Sequence, residues 1–232
     1  MKKKQQAEGI QTSSKLAKLL EKENYRKDEI HLRLHRAISW YKASEQYEKD
    51  EDLKFIVLWI SLNACYANDI LHELEETKKS QEATHLKSFL DRLIVHDNEA
   101  RIYNLLWNRF SHEIRLILEN EFIFKPFWDF QRGDIKNYKE SFKLSVDKAN
   151  RLLMKKDVGA FLMLFLNRLY TLRNQIFHGG ATYKGRVNRQ QVKDASSILG
   201  RLIPIIIEIM VINKEENWGK VYYPVINASS KL

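Results

Sequence analysis

The sequence predicts an all-α fold: an antiparallel four-helix bundle core with a helical subdomain inserted into it. Three observations carry this. Apolar residues recur with helical periodicity along nearly all 232 residues, and no stretch keeps up the alternation of a strand. Apolar residues make up 44% of the chain and only three residues are proline, which suits a compact helical protein. Four stretches, 28–49, 52–76, 157–178 and 188–213, are long and apolar enough to share one core.

Residues 1–27 hold eight Lys and Arg against three Glu, so they supply +5 of the net +9, and they read as a solvated, partly disordered basic tail. Residues 28–49 place Ile30, Leu34, Ala37, Ile38 and Tyr41 on one helical face with charges opposite. The stretch 52–76 is apolar nearly all round, from Phe55 to Ile60 and then Leu62, Ala64, Tyr66, Ile70 and Leu71, with an acidic end at Glu73, Glu75 and Glu76. A shorter helix is expected near 82–95. An amphipathic helix over 98–120 has Ile102, Leu105, Leu106, Phe110, Ile114 and Ile117 as its stripe. Between 121 and 137 the pattern breaks into an aromatic loop containing Phe122, Phe124, Phe127, Trp128 and Phe130. These rings are expected to pack the insertion (about 80–155) onto the bundle, with base stacking as the alternative. Helix resumes at 139–154, and residues 214–232, with Pro224, read as an irregular tail.

A net charge of +9 suits a polyanionic partner. The single cysteine, Cys65, rules out an intrachain disulfide and sits among apolar neighbours as core. No signal-like apolar stretch follows the N-terminal lysines, and the apolar run Leu202–Ile212, interrupted by Pro204 and Glu208, is too short to span a bilayer. A soluble, cytoplasmic protein without membrane association is expected. No cofactor is expected, because no glycine-rich phosphate loop occurs. No metal site is expected either: His31 and His35 lie one turn apart without a third ligand, and His112-Glu113 lacks the second histidine of a zinc-protease helix.

The chemistry-bearing feature is Arg173-Asn174-Gln175-Ile176-Phe177-His178, followed by Gly179-Gly180, at the end of the apolar run from Phe161 to Leu172. A guanidinium can hold phosphate oxygens in a fork, and an imidazole can move protons near neutral pH. Asn174 and His178 lie one turn apart, so the amide can orient the imidazole. Arg173 and His178 lie roughly 140° apart on an ideal helix. They converge if the helix ends near Phe177, as Gly179 and Gly180 suggest, or if two subunits share the site. The same spacing recurs at Arg26 and His31 in a charged stretch, to which no role is given. A competing reading makes Arg173 and His178 ordinary cations at a helix C-terminus. Lys184, Arg186, Arg189 and Lys193 follow the motif and would add positive potential for RNA binding, against an ordinary charged loop. Asn63, polar within an apolar helix, must find a partner if buried; the motif helix is one candidate neighbour, and a purely structural asparagine is the favoured reading.

The chain resembles the HEPN (higher eukaryotes and prokaryotes nucleotide-binding) family. The resemblance rests on Leu172-Arg173-Asn174-Gln175-Ile176-Phe177-His178, read as Arg, a polar residue, three variable residues and His on the third core helix. Similar segments run from Phe55 to Tyr66 and from His178 to Tyr183, with Val187-Asn188-Arg189 beyond. The four-helix match spans roughly half the chain. The resemblance implies a metal-independent endoribonuclease of a toxin–antitoxin or phage-defence system, working as a homodimer whose two motifs face one another. On that reading a 2′-hydroxyl attacks the adjacent phosphorus, His178 serves as general base or acid, Arg173 stabilises charge on the phosphoryl oxygens, and Asn174 holds the imidazole or a phosphate. Members that pair with a nucleotidyltransferase antitoxin often carry a tyrosine two residues after the histidine; here Gly180 stands there, and the next tyrosine is Tyr183. Because the family includes members that bind without cutting, a non-catalytic module holding RNA, a nucleotide or a partner protein is the alternative. A subunit neutralised by a separate antitoxin is a third possibility.

Overall fold

The computed structural model describes residues 11–22, 29–67, 75–221 and 223, with side chains between 75 and 95 described from Thr84 onward. Arg26, Ile70, Leu71, Glu73 and Pro224 lie outside the described residues. The architecture is an all-α bundle, with no strand among the described residues. Its helices are α1 (Ser13–Lys22), α2 (Glu29–Ser44), α3 (Glu51–Tyr66), α4 (Glu75–Val95), α5 (Arg101–Tyr103), α6 (Ser111–Leu118), α7 (Lys125–Gln131), α8 (Lys139–Lys155), α9 (Val158–Phe177) and α10 (Arg189–Ile212).

The basic leader is not all solvated tail. It contains α1, which packs on α2 and α10 through Leu16 and Leu20, each contributing about 1.5–3 kcal/mol when fully buried. The Glu45 carboxylate accepts from the Ser13 amide at 3.0 Å and from its hydroxyl at 2.7 Å, fixing the start of α1 to the end of α2.

Helices α2 and α3 form a hairpin, and α3 begins at Asp50, whose carboxylate caps the Leu53 amide at 3.1 Å. This helix ends at Tyr66, well short of 76, where Ala67 turns extended. The freed carbonyls are met by Arg33, which is 1% exposed. Its Nη1 donates to Cys65 and Ala67 at 3.0 Å each, while Nη2 donates to Gly219 at 3.1 Å and Lys220 at 2.7 Å. The C-terminal stretch through 221 is therefore irregular in backbone yet anchored, with Trp218 buried beside it.

The segment expected as an inserted subdomain is not set apart. Phe89, Leu90, Leu93, Ile114 and Ile117 belong to the same core as the long helices, and α9 packs against α4, α6 and α8. The single helix expected over 98–120 is broken. Asp97 caps the amides of Arg101 (3.0 Å) and Ile102 (2.7 Å), a π-helical turn covers Asn104–Arg109, and Phe110 donates to Leu105 at 3.1 Å before α6 starts. The aromatic stretch folds into a 3-10 turn (Glu121–Ile123) and α7, not a loop. Phe124 and, from α8, Phe142 sit at 4.2 Å and 5.3 Å from the guanidinium of Arg168 on α9, with Phe122 and Phe130 left exposed. Burial lowers the pKa of Arg168 to about 10.

Residues 189–212 form one helix, continuous through Pro204. That makes α10 long and apolar enough to cross a membrane, unlike the shorter run read from the sequence. Within the bundle, 67% of its most apolar stretch is buried, and it packs against α3, α2 and α1, as a core helix does.

Candidate functional site

The motif closes α9. Asp157 caps the start of this helix, accepting from the Ala160 amide at 3.1 Å, and Phe161, Leu162, Phe165, Leu166, Leu169 and Leu172 bury its inner face. That burial fixes the rotation, so Tyr170, Arg173, Asn174 and Phe177 line the outer side. At the C-terminus the Gly179 amide donates to Ile176 at 3.2 Å and the Gly180 amide to Gln175 at 2.7 Å, the paired bonds of a Schellman ending. Gly179 has φ +71°, which favours glycine, and a Cβ at 180 would stand 3.1 Å from the Gln175 carbonyl oxygen. The two glycines thus stop the helix where the sequence places its end, and they leave His178 exposed just beyond it.

Arg173 and His178 sit at the same helix end but share no hydrogen bond. Arg173 Nη1 donates to the Asn174 side-chain oxygen at 2.9 Å, and its guanidinium lies 4.1 Å above the Phe177 ring and 5.9 Å from Tyr170. Asn174 therefore steadies the arginine, and the anticipated bond from Asn174 to the imidazole is absent among the described residues. No carboxylate pairs with Arg173 among the described residues, and the His178 ring nitrogens have no partner among them. The result is a half-buried permanent cation with spare donors beside an exposed, unengaged imidazole.

Two of the four basic residues beyond the motif are already committed. The Asp52 carboxylate accepts from the Lys184 amide at 2.7 Å and from Arg189 Nη2 at 2.9 Å, while Asp50 pairs with the Lys184 ammonium at 3.4 Å and accepts from the Tyr183 hydroxyl. That hydroxyl, together with the Leu53 amide and Lys184, holds the Asp50 carboxyl below the usual range. Asp52 in turn raises the pKa of Arg189. Arg186 and Lys193 stay exposed, without an ion pair among the described residues. Of the four cations read from the sequence, Arg186 and Lys193 are thus the two without an ion pair among the described residues.

Asn63 is half-buried on α3, and its side chain bonds neither α9 nor any other described residue. Cys65 is fully buried, and burial pushes its thiol up to about 12, so it behaves as core. The rings of His31 and His35 stack with centroids 6.3 Å apart.

Several participants were not singled out in the sequence. Asp50 and Asp52 latch the 181–189 loop, and their only local signal is an acidic run before an apolar one, as at a helix start. Gln175 joins three segments: its amide nitrogen donates to the Phe122 carbonyl, and its oxygen accepts from Asn188 at 2.6 Å. Beneath the latched loop lies a cavity of about 210 Å³, walled by Leu53, Ile56, Leu172, Ile176 and Val192, on the side of α9 turned away from Arg173. No protein family, characterised protein or solved structure matches the chain.

Proposed function

We propose that this chain is a metal-independent endoribonuclease of the HEPN type that cuts RNA by attack of a 2′-hydroxyl on the adjacent phosphorus. One observation carries the reading: His178 stands exposed and unengaged at the end of α9 that also bears Arg173, a guanidinium without a carboxylate partner. In this scheme His178 takes the 2′-hydroxyl proton or delivers one to the leaving 5′-oxygen. Arg173, oriented by Asn174 and by the Phe177 ring beneath it, stabilises charge building on the phosphoryl oxygens. The products are a 2′,3′-cyclic phosphate and a 5′-hydroxyl. Since Arg173 turns toward Asn174 within its own chain, a homodimer that sets one motif against another is the natural way to complete the site. Arg186 and Lys193 serve as backbone contacts, and an antitoxin or defence partner would restrain the activity.

The test incubates wild type and His178→Ala with labelled single-stranded RNA in EDTA, beside an all-deoxy strand of the same sequence. Cleavage of RNA alone, by wild type alone, with cyclic-phosphate ends, is the expected result. A second reading, a binding module without catalysis, is favoured by the pairing of Arg173 with Asn174 in place of His178. Equal RNA binding by both proteins with no cleavage by either would establish that second reading and overturn the first.

A further inference from the structure

We propose that Phe177, backed by the Arg173 guanidinium, is a stacking platform for an unpaired base of a single-stranded RNA. The inference rests on the nucleic-acid reading of the same site and names the form of substrate it takes. Tyr170, Arg173 and Phe177 recur at three- and four-residue steps along the outer side of α9, so a planar cation lies between two rings. Phe177 is 45% exposed and Tyr170 is 40% exposed, a large apolar area for about two turns of helix beside a charged group. No other ring meets Phe177 among the described residues, so the guanidinium covers one side and the remainder faces solvent next to His178.

Three properties fit this surface to a base. A cation fixed on one face of a ring draws electron density toward itself and favours an electron-rich aromatic partner on the open face. The guanidinium spends one Nη1 bond on Asn174 and keeps donors for a phosphate of the same strand. Hydrogen bonding and stacking hold the platform flat before any ligand arrives, so little ordering remains to oppose binding. In a duplex both base faces are covered by neighbours; only an unpaired base offers one. Stacking on a ring face is tolerant of base identity, because every base has a π-face.

The experiment uses the full chain carrying His178→Ala, so that binding is read without cutting. A short single-stranded RNA with one 2-aminopurine is compared with a strand of equal length lacking its bases. Adding Phe177→Ala is expected to weaken binding of the base-bearing strand about tenfold and to abolish the quenching of 2-aminopurine. Phe177→Trp should retain both signals, which shows that the aromatic face matters and that the variants fold. The strand without bases should bind Phe177→Trp unchanged and lose far less than the base-bearing strand on Phe177→Ala, where Arg173 keeps its bond to Asn174. Equal loss on both strands, or no loss on either, overturns the platform. So does a change in sedimentation on Phe177→Ala with both strands bound as before, since the ring would then belong to a protein contact. Base-dependent binding without cleavage by wild type would retain the platform and remove the nuclease; cleavage with base-independent binding would do the reverse.

Discussion

The Tyr41 hydroxyl donates to the Gly200 carbonyl at 3.0 Å, and Pro204 explains why that carbonyl is free to accept. Proline has no amide hydrogen, so position 200, one turn earlier, loses its intrahelical donor in the middle of a core helix. Tyr41, 5% exposed on α2, makes good the loss across the helix interface. Burial raises its hydroxyl to about 12, so it remains a donor over the physiological range.

Tyr41→Phe should destabilise the protein by about 1–3 kcal/mol, the cost of leaving a buried carbonyl unsatisfied. In a Pro204→Ala background the restored amide would take up Gly200, and the cost of Tyr41→Phe should shrink. A double-mutant cycle by urea denaturation checks this. An identical penalty in both backgrounds would disconnect the tyrosine from the proline.

Arg33 gathers four carbonyls from two distant segments, and a planar fork is what permits this. Arg33→Met should cost about 3 kcal/mol or more, with those carbonyls stripped of donors. Arg33→Lys should rescue little, because an ammonium presents its donors from one point. Thermal denaturation gives the stability, and limited proteolysis near Trp218 should show the C-terminal segment released in both variants.

The latch on the 181–189 loop should respond to acid. The folded Asp50 carboxyl lies below its unfolded value, so its contribution is complete above the ordinary carboxylate range, near pH 4, and is lost as pH falls through the lower folded value. Amide exchange around Tyr183 and Lys184 should accelerate across that window. Asp50→Asn keeps the helix cap but not the charge, and should leave exchange fast and nearly flat with pH. A wild-type loop equally protected at acid pH would contradict the assignment.

Gly179→Ala should cost about 1 kcal/mol, because alanine resists the positive φ found there. On the proposed nuclease reading, RNA cleavage should fall further than stability does, since the substitution disturbs the turn that presents His178. Gly179→Asn should be milder, asparagine being more tolerant of that region. Calorimetry beside RNA cleavage separates the two effects; parallel losses would mean that the turn merely stabilises the fold.

Much of this was legible in the chain. Apolar periodicity over 157–178 and 188–213 marked helices now found at Val158–Phe177 and Arg189–Ile212, and the paired glycines marked the stop beside His178. Helix α1 was obscured because its lysines outweigh Leu16 and Leu20 in any count of charge. The π-helical turn at Asn104–Arg109 kept an unbroken stripe of apolar residues while shifting its phase, so the pattern read as one helix. The Asn174–Arg173 bond depends on side-chain rotamers that spacing does not encode. Asp52 and Arg189 stand 137 positions apart, and only the folded bundle brings the latch together.

The fork of Arg33 also bears on how the chain matures during synthesis. Of the four carbonyls named, those of Cys65 and Ala67 exist as soon as α3 forms, but Gly219 and Lys220 emerge 186 and 187 residues after the arginine. Until then the bonds to Gly219 and Lys220 cannot form, and a nascent chain halted after α10 would lack both. Forming them ties the first-made hairpin of the bundle to some of the last residues synthesised, so this part of the fold closes only once the polypeptide has been read through to that point.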